Sequence, residues 1–289
     1  MIAGTRTVRS DAAGAIPWAT IAWFAALTII CYAPVLYNLG RQWANDEDMG
    51  HGFFVPLVAG YIMWQRRAEV AAVVPAPNWW GLAVVLWGGA QLYVATLGAE
   101  LFLARTSLVI TIFGIVLFLG GPPLLRALLF PLALLFLMVP IPAIIYSQIT
   151  FPLQIFASRV AEGALALLGI PVLREGNILE LANQKLSVVE ACSGIRSLLT
   201  LTFLSLVYAY FFDSKAWMRA ALLIATVPIA IAANAARVTV TGILTEYDPE
   251  LAEGVFHTAE GWVMFMIALA MLVATHAVIN RIYGAVRGR

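Results

Sequence analysis

The sequence predicts an all-α polytopic membrane protein of about eight transmembrane helices, with a small loop and β-hairpin region on its outer face. Composition is the first reason. Of 289 residues, 62% are hydrophobic and 11% charged, whereas soluble domains carry about 25% charge. Mean hydropathy is the second, at +0.89; a surface so poor in charge has lipid as its natural solvent. The third is distribution: apolar runs recur to the C-terminus, so the apolar content is more than a secretory leader. These facts exclude a soluble enzyme and a disordered chain. A net charge of +1 leaves no basic footprint for nucleic acid.

A bilayer core of about 30 Å takes roughly 20 apolar residues per helix. Spans therefore fall near 17–37, 51–65, 79–98, 101–120, 124–146, 192–212, 219–240 and 256–279. The second is short enough to be tilted or re-entrant. No interval between spans could hold a soluble domain, so residues 1–289 read as one transmembrane domain.

Lysine and arginine in short loops set the orientation. With the N-terminus in the cytoplasm, Arg6, Arg9, Arg66, Arg67, Arg126, Lys215, Arg219, Arg281, Arg287 and Arg289 reach the inner face. Arg41, Arg105, Arg159, Arg174, Lys185, Arg196 and Arg237 then reach the outer one, a bias of 10 to 7. Most of those seven sit in the long outer region or at helix ends where charge can serve chemistry. Both termini inside agrees with an even number of spans.

Residues 147–191 differ from the rest. A helix-like stretch from Phe151 to Leu168 is followed by Gly169-Ile170-Pro171, then by period-two alternation in 177–181 and 186–190 around Ala182-Asn183-Gln184. That pattern predicts a β-hairpin on the outer face, leading directly into Cys192.

Measuring the helices brings three residues to one depth. From Cys192 to Asp213 is about 21 residues, or roughly 31 Å. The next span returns from Lys215 and Arg219 to Arg237 over about 27–33 Å, and the last runs from His257 to Arg281 over about 36 Å. Cys192, Arg237 and His257 are thus expected together at the outer water–lipid boundary.

Those groups suit acyl transfer through a thiol. The thiolate is the nucleophile, favoured at a helix N-terminus and beside a cation such as Arg196, four residues on. His257 can protonate a leaving amine or take a proton from an incoming nucleophile. The Arg237 guanidinium can fork onto the oxyanion of a tetrahedral intermediate. Asn234 can orient Arg237 or add a donor, and Glu190 and Glu260 can orient a ring or a guanidinium.

Plainer readings stand beside these. Cys31 is a small hydrophobe in an apolar span; Cys192 instead sits in the polar setting Glu190-Ala191-Cys192-Ser193-Gly194-Ile195-Arg196. A boundary Arg often only snorkels to headgroups, and a boundary His is often incidental. His276, deep in the last span, reads as a packing or hydrogen-bonding residue. Two cysteines make no disulfide framework. His51 follows Asp46-Glu47-Asp48 but has no second His nearby, so no metal is expected. The aromatic and Met content fits lipid faces without any cofactor.

These residues resemble the exosortase/archaeosortase family over most of the chain, from the Trp43–Arg67 stretch to Trp262. The marks are Trp43, Asp46 and His51-Gly52; Pro140-Ile141-Pro142; Phe151-Pro152-Leu153-Gln154; and Gly169-Ile170-Pro171-Val172. Cys192-Ser193-Gly194-Ile195-Arg196, Asn234-Ala235-Ala236-Arg237-Val238 and His257 with Gly261-Trp262 complete the series. The resemblance implies a transpeptidase-like cysteine protease in the cell inner membrane, its active site facing the periplasm. Its substrates would be C-terminal sorting signals of exported proteins: a short motif such as Pro-Glu-Pro (PEP-CTERM-like), an apolar helix and a basic tail. The family's proposed Cys, Arg and His fall on Cys192, Arg237 and His257, with Arg196 ranked behind Arg237. An amine, a hydroxyl or water would accept the acyl group. The loop around His51 and the 177–190 hairpin are placed to bind the motif.

Two rivals belong to other classes. A transporter would carry ionisable groups near mid-membrane, whereas charge here collects at span ends. A non-catalytic scaffold of envelope or polysaccharide export would leave Cys192 unreactive.

Overall fold

The computed structural model describes residues 18–182, 185–188, 194–247 and 254–287. They form two compact units that divide between Pro140 and Ile141.

The first unit begins with α1 (Trp18–Asn45), whose apolar side chains are mostly exposed. Asp46 then caps a 3-10 turn, Glu47–Phe53, by accepting the Asp48 N–H at 3.0 Å. The turn leads into α2 (Phe54–Gln65) and the short α3 (Arg67–Ala72). Helix α4 (Trp79–Leu97) is capped by Asn78, and α5 (Leu101–Leu134) by Glu100, each side chain accepting a backbone N–H of the first turn.

α4 and α5 approach closely because glycine lines their seam. A Cβ on Gly114 would lie 2.7 Å from the Val85 nitrogen, and one on Gly81 would strike the Phe118 backbone. Such small-residue packing suits lipid, where no hydrophobic drive holds helices together.

Gly121 breaks α5. Its φ of 72° lies in the left-handed region, and Pro122 and Pro123 follow. The second half of α5 turns back along α1 and α2. Tyr32 meets Thr111 at 2.7 Å in the first half; Arg66 donates to the Ala127 carbonyl at 2.9 Å in the second.

The second unit holds α6 (Ala143–Leu167), three strands and three further helices. The strands are β1 (Val172–Glu175), β2 (Ile178–Leu181) and β3 (Lys185–Ser187), antiparallel in the order β1-β2-β3. The sheet buries Leu179, Leu181 and Leu186 against Ala157, Ala161 and Leu165 of α6, together with Ala235 and Val238. Polar ties add register: Ser158 donates to the Gly176 carbonyl at 3.0 Å, and Arg174 pairs with Glu162 at 2.8 Å. Then come α7 (Gly194–Phe212), α8 (Ala216–Tyr247) and α9 (Gly254–Arg287). They pack through Leu201, Met218, Leu222, Ala230, Ala268 and Leu272.

Among the described residues, five helices are long and apolar enough to cross a membrane, against the eight spans expected from sequence. They are Trp18–Asn45, Trp79–Leu97, Leu101–Met138, Ala216–Glu246 and Gly261–Arg287, the third of which contains the break at Gly121 and so comprises two shorter helices. The expected span 124–146 is interrupted, because a 3-10 turn (Leu135–Met138) and the prolines at 140 and 142 end the helix. The expected span at 51–65 is a 12-residue helix after a 3-10 turn, about 18 Å long by its rise. The apolar part of α7 is also short, at Arg196–Phe212. The sheet exceeds the expected hairpin by one strand, β1, joined to β2 by the tight turn Gly176-Asn177.

Candidate active site

The Asn234–Arg237 segment of α8 is built mainly from small residues. Ala233 packs toward α7 and α9, and Ala235 and Val238 pack toward α6 and the sheet. This leaves Asn234 and Arg237 on a helix with neighbours on both sides, 6% and 9% exposed respectively. Asn234 borders a cleft with Leu153 of α6 and Leu198 of α7. Since Leu198 lies two residues after Arg196, the opening turn of α7 stands at the level of Asn234. Arg196 itself is half-buried there.

Helix α9 comes against the same place. A Cβ on Gly261 would lie 3.3 Å from one terminal nitrogen of Arg237 and 3.4 Å from its Cζ. The guanidinium therefore lies on the bare face of α9 that glycine provides. His257 is one turn earlier in that helix. Sequence reasoning treated Gly261 only as part of a motif. Its signal was a glycine one turn after a candidate His inside a helix, a spacing that marks close approach of a neighbour.

Glu190, Cys192 and Ser193 lie outside the described residues, as do the side chains of His257 and Glu260. Gly194 opens α7.

The opposite end of these three helices carries a second polar cluster. Asp213, in the turn between α7 and α8, accepts the Lys215 N–H at 2.7 Å. His276 of α9 places Nε2 3.2 Å from Asp213 Oδ2 and 2.8 Å from Asn280 Nδ2, and Nδ1 2.8 Å from the Tyr208 hydroxyl. Lys215 Nζ donates to Asn280 at 3.2 Å, and Arg219 Nε donates to the Asp213 carbonyl at 2.8 Å. Burial alone would raise the Asp213 pKa. The Lys215 N–H, the His276 hydrogen bond and the nearby positive charges together outweigh it, and hold the carboxyl below its ordinary value. The hydrogen-bonding role expected of His276 is what the structure shows.

In the first unit, His51 is buried, and its Nε2 lies 3.2 Å from the Leu137 carbonyl. Trp43 donates its indole N–H to the Met138 carbonyl at 3.0 Å, and its ring sits where a Gly52 side chain would be. The Trp43, Asp46 and His51-Gly52 motif thus fastens the 3-10 turn to the end of α5. Burial lowers the His51 pKa, against the pull of the Leu137 and Asp48 backbone. Among the described residues, no three His, Cys, Asp or Glu side chains are grouped to hold a metal ion.

A family model described as transmembrane exosortase (Exosortase_EpsH) matches residues 43–274. No curated protein and no solved structure gives a match.

Proposed function

Because the chain belongs to the transmembrane exosortase family, we propose that it is a cysteine protease or transpeptidase of the inner membrane. It cuts C-terminal sorting signals of exported proteins at the outer face, with both termini in the cytoplasm and residues 1–289 acting as one catalytic domain. The observation that carries this reading is the Arg237 guanidinium, buried and laid on Gly261 one helical turn from His257.

The Cys192 thiolate attacks the scissile carbonyl carbon, and the carbonyl electrons move onto oxygen. Arg237, always charged and able to present two N–H groups in one plane, stabilises that oxyanion. Collapse breaks the C–N bond, leaves a thioester on Cys192 and releases the amine, which takes its proton from His257. Water, an amine or a hydroxyl then loses a proton to His257 and attacks the thioester, and the thiolate departs. Arg196 and the start of α7 favour that thiolate electrostatically.

Cys192→Ala should abolish processing of a reporter bearing a tripartite signal, while the protein stays in the membrane at wild-type level. The mass of the reporter's new C-terminus, with and without Cys192, checks this. Processing by the Ala variant at the same bond would overturn the nucleophile assignment.

A further inference from the structure

The first unit contains an apolar groove of about 1410 Å³ between α1, α2, α3 and both halves of α5. One wall is α1, from Trp18 to Trp43, about 38 Å by helix rise and so the full height of a bilayer core. The other wall is a stripe of α5 that includes Leu108, Ile112, Val116 and Leu119. The hydroxyl of Thr28 is spent on its own helix, at 2.8 Å from the Phe24 carbonyl.

By the helical repeat Arg105 falls on the same face of α5, three residues before Leu108 and seven before Ile112, one turn beyond the groove lining, which begins at Leu108. It lies in the second turn of α5 and is 5% exposed. Among the described residues no hydrogen bond or ion pair reaches its guanidinium. The nearby acid Glu100 already accepts the Leu103 N–H at 2.6 Å as the helix cap. Its neighbours on the helix, Thr106 and Ser107, are engaged with Gln91 and with backbone carbonyls. A cation so deeply covered is costly unless an anion joins it.

We infer that this groove receives the apolar helix of the sorting signal and that Arg105 binds the carboxylate of the motif preceding it, so that Arg105 is a specificity residue for the proposed reaction. The inference rests on the reading above for its substrate class. Charge and length both select the occupant. On the orientation given by lysine and arginine, Arg105 stands at the outer end, where a signal that enters motif-outward presents its Pro-Glu-Pro acid. A lipid would also offer an anion above an apolar tail. Its chains, however, reach only half the bilayer, whereas the groove runs the whole height, as a spanning helix does.

The test uses the full-length protein in membranes with a reporter carrying a Pro-Glu-Pro signal. Arg105→Gln and the signal's Glu→Gln should each slow processing about 10- to 100-fold, the range of one buried charge-assisted hydrogen bond. Together they should cost no more than either alone. Losses that multiply would mean that Arg105 serves a lipid headgroup or the fold, and would overturn the assignment. Should Arg105→Gln fail to accumulate, Arg105→Lys paired with the signal's Glu→Asp gives the same cycle. A second arm needs no cleavage. With Cys31 and Cys192 replaced by Ser, Ile112→Cys should form disulfides with single cysteines along the signal helix at a helical period. Absence of that pattern overturns the groove. Crosslinking with that period alongside Cys192-independent cleavage would instead retain the groove and discard the thiol mechanism.

Discussion

At the turn between α7 and α8, the Asp213 carboxylate is 4% exposed and meets the Lys215 N–H, the His276 ring and the Lys215 ammonium, the last at 3.7 Å. At the start of α5, the Arg105 guanidinium is 5% exposed, and no other described side chain bonds to it. The two burials are similar and the company is opposite. Where the chain supplies every partner, the charge is architecture: it joins three helices whose residues are up to 68 positions apart, as Tyr208 and His276 are. Where it supplies only the nearby charge of Glu100 and no hydrogen bond, burial of the guanidinium costs stability that a bound anion would offset.

Removing the carboxylate is the strongest probe of that contrast. Asp213→Ala leaves Lys215 and His276 facing one another without their anion. Only side chains at the helix ends cover the site, so a loss of about 2–3 kcal/mol is expected. Thermal unfolding in detergent measures it; a loss below about 0.5 kcal/mol would class the cluster as surface decoration.

Acid should act next, and in order. His51 has a lowered folded pKa, so its contribution is whole above about 6.5 and fades as pH falls below that value. Asp213 is also depressed; its share is whole above about 3.9 and is lost only as pH drops through its lower folded value. Protease nicking near the 3-10 turn should therefore appear at milder acidity than nicking at the Asp213 turn. The reverse order would contradict both assignments.

The smallest expected change is the most discriminating. Arg105→Met keeps the length of the side chain and removes the charge, so without substrate its unfolding temperature should equal or slightly exceed that of the wild type. A clear drop would show that the guanidinium has a partner in the resting protein.

How far the sequence reached depends on whether the signal was local. Cap residues, glycine seams and the Gly176-Asn177 turn are local chemistry, and β1 could have been read from that turn had alternation not drawn attention to Ala182-Asn183-Gln184. Five of the eight expected spans have a helix long and apolar enough among the described residues, and hydropathy, which averages through proline, misplaced one end. Residues 124–146 are apolar apart from Arg126, but Pro140 and Pro142 leave backbone that no helix can continue. Of the expected site, helix lengths made one part legible, the neighbouring levels of Arg237 and the turn holding His257; Cys192 lies outside the described residues. The role of Gly261 was not legible, since what glycine contributes there is the absence of a side chain. The Asp213 cluster was hidden for another reason: its members lie on three elements, and no spacing rule links Tyr208 to Asn280.

Glycine and proline alone make the reversal at 120–123, so that corner carries no lysine or arginine to anchor it to either side of a membrane. Insertion machinery that weighs flanking charge would find its instructions elsewhere, in Arg66 and Arg67 ahead of the corner and Arg126 just beyond it. The two halves of α5 then enter lipid as a single folded pin, their direction inherited from neighbours.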